Sequence, residues 1–164
     1  TSPQARLYSD DDSKNFRIGG KGILLSPLRG GPFWLAVSGS LGRNLSEHNS
    51  KQGYAFGEIT GTWQFNSKLA FSVNPKVAWS GAGNLYGLGL GANFAISQKL
   101  ELLPEIIIAG DNFSKTTSTI GLRYHFSDSI ATTVYASTAA SLNNIGQLLG
   151  KGDTNVGAMI TIKI

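Results

Sequence analysis

The sequence predicts an all-β fold, chiefly because apolar residues alternate with small or polar residues at a period of two. Such alternation is typical of strands whose two faces meet different surroundings. Periodicity typical of helices is almost absent. Glycine accounts for 21 of the 164 residues, and glycine within strands often marks bulges or close backbone approach. The chain is expected to be one domain, residues 1–164, because no internal repeat is visible.

The clearest predicted strand covers residues 69–79. Its apolar face runs from Leu69 to Trp79, and its other face carries Ala70, Ser72, Asn74, Lys76 and Ala78. Segments that repeat this logic bring the count to about ten, with eight strands as the alternative. The other predicted strands are residues 4–9, 16–25, 33–41, 54–65, 86–96, 100–109, 119–126, 130–139 and 155–164.

The links between these segments alternate in length. Short turns are predicted at 26–31, 66–68, 97–99 and 127–129, and the other links lie at 10–15, 42–53, 80–84, 110–117 and 141–154. An up-and-down antiparallel order would collect the short turns on one rim. Short turns on one rim and longer loops on the other are typical of outer-membrane β-barrels.

The composition of the two faces favours a membrane barrel over a soluble one. A soluble barrel points its apolar residues inward, but a core of the opposite face here, mostly glycine, alanine, serine and threonine, would bury very little. We therefore expect the apolar face to meet lipid and the polar face to line a narrow lumen. Backbone groups in lipid must all be paired, so the ring is expected to close. A soluble β-barrel that binds an apolar ligand is the alternative.

Aromatic residues lie where the interfacial girdles of such a barrel should lie, because their rings favour a position with one wet end. Pro75 and Pro104 are the weak points of the pattern, since proline removes a ladder donor. The predicted lipid-facing girdle consists of Phe65, Phe71, Trp79, Tyr86, Phe94, Tyr124 and Phe126.

Charged residues on the opposite face are predicted to lie in the lumen. They would form either a salt-bridge network that plugs the ring or a small polar conduit, because an isolated buried charge is very costly. Pairing about a loop centre near 113–114 would put Glu105 roughly opposite Arg123 or a near neighbour. The predicted lumen charges are Arg17, Lys21, Glu58, Lys76, Glu101, Glu105, Arg123, His125 and Lys163.

The alternation, the loop asymmetry and the amphipathic last strand, residues 156–164, resemble small bacterial outer-membrane β-barrels of the OmpA- and OmpX-like group. The resemblance implies insertion by the barrel assembly machinery and contact with outer-membrane lipid and lipopolysaccharide. It identifies no subfamily. The group usually ends on an aromatic residue and this chain ends on Ile164, so either an aliphatic end is tolerated or residues follow it.

The charge content excludes some function classes. Charged residues make up only 15% of the chain, below the ~25% of average soluble domains. The net charge is +4, but the basic residues form no run, so nucleic acid is not an expected partner. No apolar stretch is long enough for a transmembrane helix, and no signal peptide is visible. The absence of cysteine is only weakly informative.

No catalytic or cofactor site is predicted, and the chain is not expected to be an enzyme. His48 lies near Ser46, Glu47 and Ser50, but no Gly-x-Ser-x-Gly elbow is present. The aspartates at 10–12 lack the spacing of a calcium loop, and two histidines without cysteine make a transition-metal site improbable.

The function predicted from the sequence is a structural anchor or interaction subunit of the outer membrane, with a largely plugged polar lumen. A protein partner in a larger envelope complex is expected. A narrow channel for small solutes is an alternative function, and a lipid- or peptide-modifying enzyme is a weaker one.

Overall fold

A computed structural model describes the strands and some of their links. The described residues are 2–10, 13–44, 53–80, 83–110, 115–139, 147–148 and 150–162. No helix among them is long and apolar enough to cross a membrane. The strands are β1 Ser2–Asp10, β2 Ser13–Leu25, β3 Trp34–Asn44, β4 Gly53–Asn66, β5 Leu69–Ser80, β6 Gly83–Ala95, β7 Leu100–Ala109, β8 Thr117–His125, β9 Ile130–Ala139 and β10 Gly150–Ile162.

The strands form a single sheet in chain order from β1 to β10. Every pair of neighbours is antiparallel, as in the β4–β5 and β8–β9 ladders. The predicted all-β, up-and-down arrangement of about ten strands is therefore confirmed. The predicted closed ring is not present, because β1 pairs only with β2 and β10 only with β9 among the described residues. The sheet is open, with β1 and β10 at its edges.

The short predicted turns all collect on one rim, which we call the short-turn rim. The β4–β5 turn lies at residues 67–68, and bends at 96–99 and 126–129 join the next two hairpins on this rim. The β2–β3 link contains a short 3-10 helix, Pro27–Arg29, whose preceding Ser26 side chain accepts a hydrogen bond from the Leu28 amide. The opposite edge, where residues 45–52, 81–82, 110–116 and 140–149 connect the strands, is the long-link rim.

In a soluble β-sheet the charged side chains are exposed and the large apolar ones are buried. On this sheet the exposure of the two faces is reversed. On β5, Lys76 and Ala78 are buried, whereas Phe71 and Trp79 on the other face are exposed. We call the face that carries Lys76 the inner face and the face that carries Trp79 the outer face. Residues from β4 through β10 line one cavity on the inner face, so the sheet curls around it.

Pro75 and Pro104 are accommodated where a ladder is interrupted on one side of each strand. The β4–β5 register passes from the Glu58–Lys76 pair to the Gly61–Val73 pair and skips the rungs beside Pro75. The β6–β7 register likewise skips the rungs beside Pro104. Each proline keeps a partner on its other neighbour, so the missing donor disturbs only one ladder.

An apolar cluster on the inner face gives a test of the face assignment. Leu85 is buried there with Phe56 and Ile107, whereas Leu90, on the same strand, faces outward and is exposed. We expect Leu85→Ala to lower the free energy of unfolding by about 2–5 kcal/mol, because the cluster cannot fully close the void. Leu90→Ala should cost less. Denaturant titration in detergent micelles compares the two, and a larger loss for Leu90→Ala would reverse the assignment.

Candidate functional site

A buried lysine organises one cluster of polar side chains on the inner face. The Lys76 Nζ lies 3.2 Å from Glu105 Oε1 and 3.7 Å from Glu58 Oε2, and the Lys76 side chain is 1% exposed. It also donates a hydrogen bond to Gln147 Oε1. We call this group the Lys76 cluster. Its members are Ser38, Glu58, Asn74, Lys76, Glu105 and Gln147.

Neighbouring amide and hydroxyl groups satisfy the carboxylates of this cluster. Ser38 Oγ donates to Glu58 Oε1 at 3.0 Å, and Asn74 Nδ2 donates to Glu105 Oε1 at 3.4 Å. The Asn74 Oδ1 atom is buried and has no hydrogen-bond partner among the described residues. A buried charge is tolerable only where it is paired and hydrogen-bonded, and Lys76 meets both conditions.

A glycine on β6 permits the reach of Lys76 from β5 to β7. Gly89 stands opposite Asn74 in the β5–β6 ladder, between Lys76 and Glu105. A Cβ at Gly89 would collide with Asn74 Oδ1 and would lie 3.0 Å from Lys76 Cε. The missing side chain therefore allows an ion pair to cross an intervening strand.

A second cluster lies nearer the short-turn rim. The Glu101 carboxylate lies 3.5 Å from Arg123 Nη1 and 3.3 Å from His125 Nε2, and it accepts a hydrogen bond from Asn93 Nδ2 at 3.3 Å. The His125 nitrogen is close to the carboxylate but is not aligned for a hydrogen bond. Arg123 Nε donates to Thr133 Oγ1 at 3.1 Å. We call these five residues the Glu101 cluster.

The expected pairing of Glu105 with Arg123 is wrong. The β7–β8 register sets Glu101 opposite Arg123 and Glu105 opposite Thr119. The link is therefore centred on residue 112, since (101 + 123)/2 = 112, and not near 113–114. A shift of the link centre by one residue moves the cross-strand partner by two residues, so Arg123 lies opposite Glu101. Glu105 instead forms its ion pair with Lys76, across β6.

The other predicted lumen charges are Lys21, Arg17 and Lys163. Lys21 is paired in register with the inner-face residue Ser38, but its side chain is exposed. Arg17 lies on β2 at the rung opposite Gly42. Lys163 lies outside the described residues, as do His48, Ser46, Glu47 and Ser50.

An inner-face cavity of about 380 Å³ lies between the two clusters. Glu105 and Gln147 of the Lys76 cluster line it at one end, and Arg123 of the Glu101 cluster lines it at the other. The wall between them is largely apolar, with hydroxyl and amide groups set into it. These are contributed by Thr62, Ser72, Asn74, Asn93, Thr119, Thr133 and Tyr135.

Sequence reasoning missed two residues of the β9–β10 link that fold onto the inner face. Leu148 is fully buried against Phe56, Ala78, Leu85 and Ile107. Gln147 precedes it and contacts Lys76. The link was treated as a polar loop, and the signal available in the sequence was the pair of leucines at 148–149.

The aromatic residues predicted to face lipid all lie on the exposed surface. Their relative exposures run from 40% for Phe94 to 76% for Phe65. Trp79 and Tyr86 sit near the long-link rim, whereas Phe65 and Phe126 sit near the short-turn rim. Contact of these rings with lipid stays a prediction.

The two clusters join side chains of different strands through ion pairs and hydrogen bonds. No group of histidine, aspartate and glutamate side chains in the described part of the chain is placed to hold a metal ion. The three carboxylates Glu58, Glu101 and Glu105 each lie within ion-pair distance of a basic side chain. The geometry is suited to holding strands and a link together across the inner face.

Removing the Lys76 charge should destabilise the protein strongly, because it leaves Glu58 and Glu105 without their cation. We expect Lys76→Met to lower the free energy of unfolding by about 3–5 kcal/mol. The triple variant Lys76→Met, Glu58→Gln, Glu105→Gln should lose less than the single variant, since no buried charge is left unpaired. Equilibrium unfolding in micelles measures both, and simple additivity of the three substitutions would contradict a coupled network.

Arg123→Ala should be milder than Lys76→Met. The Arg123 and Glu101 side chains are 32% and 22% exposed, so water can solvate the carboxylate that remains. We expect a loss of about 1 kcal/mol or less, as for partly exposed ion pairs. The same titration measures it. A loss as large as that of Lys76→Met would mean that the Glu101 cluster is as dry as the Lys76 cluster.

Comparison with protein-family models finds no match to this chain, and comparison with curated proteins finds none either. The assignment of a function therefore depends on the geometry of the two faces and of the inner-face clusters.

Proposed function

We propose that the chain is a membrane-embedded β-barrel of a bacterial outer membrane, acting as a structural anchor or interaction subunit whose polar lumen is largely plugged. The observation that carries this proposal is the inversion of the two faces. Large apolar side chains are exposed on the outer face, and charged side chains are on the inner face.

The inversion of the two faces, with apolar side chains outside and charged side chains inside, is most complete in β4 to β9. Within these strands the acidic and basic residues all lie on inner-face positions, namely Glu58, Lys76, Glu101, Glu105, Arg123 and His125. The outer face of the same strands carries Ile59, Leu88, Leu90, Ile106, Ile120 and Val134, each at least 38% exposed. A soluble monomer rarely exposes one contiguous apolar surface of this extent, whereas lipid favours it.

The dimensions of the strands also suit a bilayer. β5 has 12 residues, which at ~3.3 Å per residue and a tilt of ~45° span roughly 28 Å. Outer-face aromatics lie at both ends of this span, with Trp63 near the short-turn rim and Trp79 near the long-link rim. Tryptophan favours such interfacial positions because its ring is apolar and its N–H is polar.

Membrane insertion requires that β1 and β10 pair with each other. An edge strand in lipid leaves backbone N–H and C=O groups without partners, and each such group costs several kcal/mol. Closure of the open sheet by a β1–β10 ladder is therefore part of the proposal.

The interior supports an anchor more than a wide pore. The Lys76 cluster and Leu148 occupy the inner face at the long-link end. Outer-membrane lipid, lipopolysaccharide and the barrel assembly machinery are the expected partners, together with a protein partner in an envelope complex.

Tryptophan quenching by lipid tests the proposal directly, because the chain has tryptophans on both faces. Trp63 and Trp79 are outer-face residues, whereas Trp34 pairs with Thr62 on the inner face. In single-tryptophan variants reconstituted into vesicles, lipids brominated near the headgroup should quench Trp63 and Trp79 strongly. Trp34 should be quenched weakly and is the matched control.

Equal quenching of all three tryptophans would contradict the face assignment. A monodisperse folded chain in buffer without detergent would contradict membrane insertion itself. Both measurements use the full chain, with the remaining tryptophans replaced by phenylalanine.

A further inference from the structure

The inner face is divided into a chamber with charged groups at its ends and an apolar seal. The chamber is the cavity of about 380 Å³ between the Lys76 and Glu101 clusters. The seal is Leu148 with the inner-face residues Phe56, Ala78, Leu85 and Ile107. Ala78 lies two positions beyond Lys76 towards the long-link rim, so the seal stands between the chamber and that rim.

The residue at the centre of the seal is Leu148, which comes from a link and not from a strand, and the inner face has a pocket that fits its side chain. Leu148 is fully buried, and a Cβ at Gly87 would collide with its Cδ2 atom. Lys115 N donates to the Leu148 carbonyl at 3.2 Å, and Thr117 Oγ1 donates to the Gln147 carbonyl at 2.9 Å. These contacts and the Lys76–Gln147 hydrogen bond hold residues 147–148 in place.

The chamber continues towards the opposite rim. A second cavity, of about 150 Å³, is lined by Arg123, His125, Asp128 and Ser129 and so reaches the short-turn rim. Arg123 lines both cavities, and its side chain is partly exposed. The two cavities therefore meet at Arg123 and together extend from the short-turn rim towards the Leu148 seal.

The chemistry of the route suits neutral solutes. The carboxylates of Glu58, Glu101 and Glu105 face the cations of Lys76 and Arg123, so the charges are close to balance. Hydroxyl and amide groups are set among apolar side chains in the space between them. A neutral solute would cross the apolar seal without the large cost of desolvating a charge.

We propose that Gln147 and Leu148 form a removable plug, and that its displacement turns the lumen into a conduit for small neutral hydrogen-bonding solutes of the polyol class. This inference rests on the membrane barrel proposed above and goes beyond its anchoring role. The plug closes the long-link end of the route, and the chamber lies behind it.

Because the chain has no cysteine, one cysteine in the chamber reports access to it. Ser72→Cys lines the chamber and is nearly isosteric. In sealed vesicles, with a neutral, sugar-linked methanethiosulfonate reagent added only on the side of the long-link rim, adding Leu148→Ala should raise the labelling rate of the cysteine at position 72 at least tenfold. Leu88→Ala, on the outer face of the strand beside the plug, is the matched control and should leave the rate unchanged.

Passage itself is measured by swelling of vesicles in glycerol or ribitol. Leu148→Ala and Gly87→Ala should both swell several-fold faster than the parent, because one removes the plug side chain and the other fills its pocket. Swelling should stay slow in the corresponding salt solutions.

If both variants float with vesicles and keep the parent's circular dichroism, yet neither labelling nor swelling increases, the plug proposal is wrong and the anchor proposal stands. Fast labelling of the Ser72→Cys parent from the side of the long-link rim would also overturn it, since the seal would then not limit access. Failure of the parent to float with vesicles would instead contradict the membrane barrel.

Discussion

The ammonium of Lys76 is the interaction on which the interior of this protein depends. It is almost completely buried, and its acceptors come from β4, from β7 and from the β9–β10 link. It can reach Glu105 on β7 only because Gly89 leaves β6 without a side chain at the crossing point. One charge on β5 thus holds strands that are not neighbours, and it holds the link residue that precedes Leu148.

The strands could be predicted because a strand has a side-chain period of two, and the environment here differs sharply between its faces. Residues 69–79 show this in sequence, and β5 has the same bounds to within one residue. The register could not be predicted as well, because it depends on how many residues each strand contributes to a link. A centre at 112 and not near 113–114 was enough to exchange the partner of Glu105.

The candidate site was predicted in its residue types but not in its contacts. Glu58, Lys76, Glu101 and Arg123 were assigned to one face by parity, and they lie there because parity along a strand is strict. The Lys76–Glu105 pair crosses a strand, which no cross-strand rule anticipates. Leu148 was missed because a link has no periodicity to read, so only its apolar character could have indicated burial.

The free edges of the open sheet favour water, whereas the apolar outer face favours lipid. β10 exposes Val156, Ile160 and Ile162, and its outer edge has no ladder partner among the described residues. In water, the apolar side chains would be the costly feature and the free edge would be solvated. In lipid, the side chains would be favoured, and the unpaired backbone would be the costly feature. If the chain enters a bilayer as proposed, a ladder between β1 and β10 would leave the apolar outer face in lipid and would pair the free backbone edges.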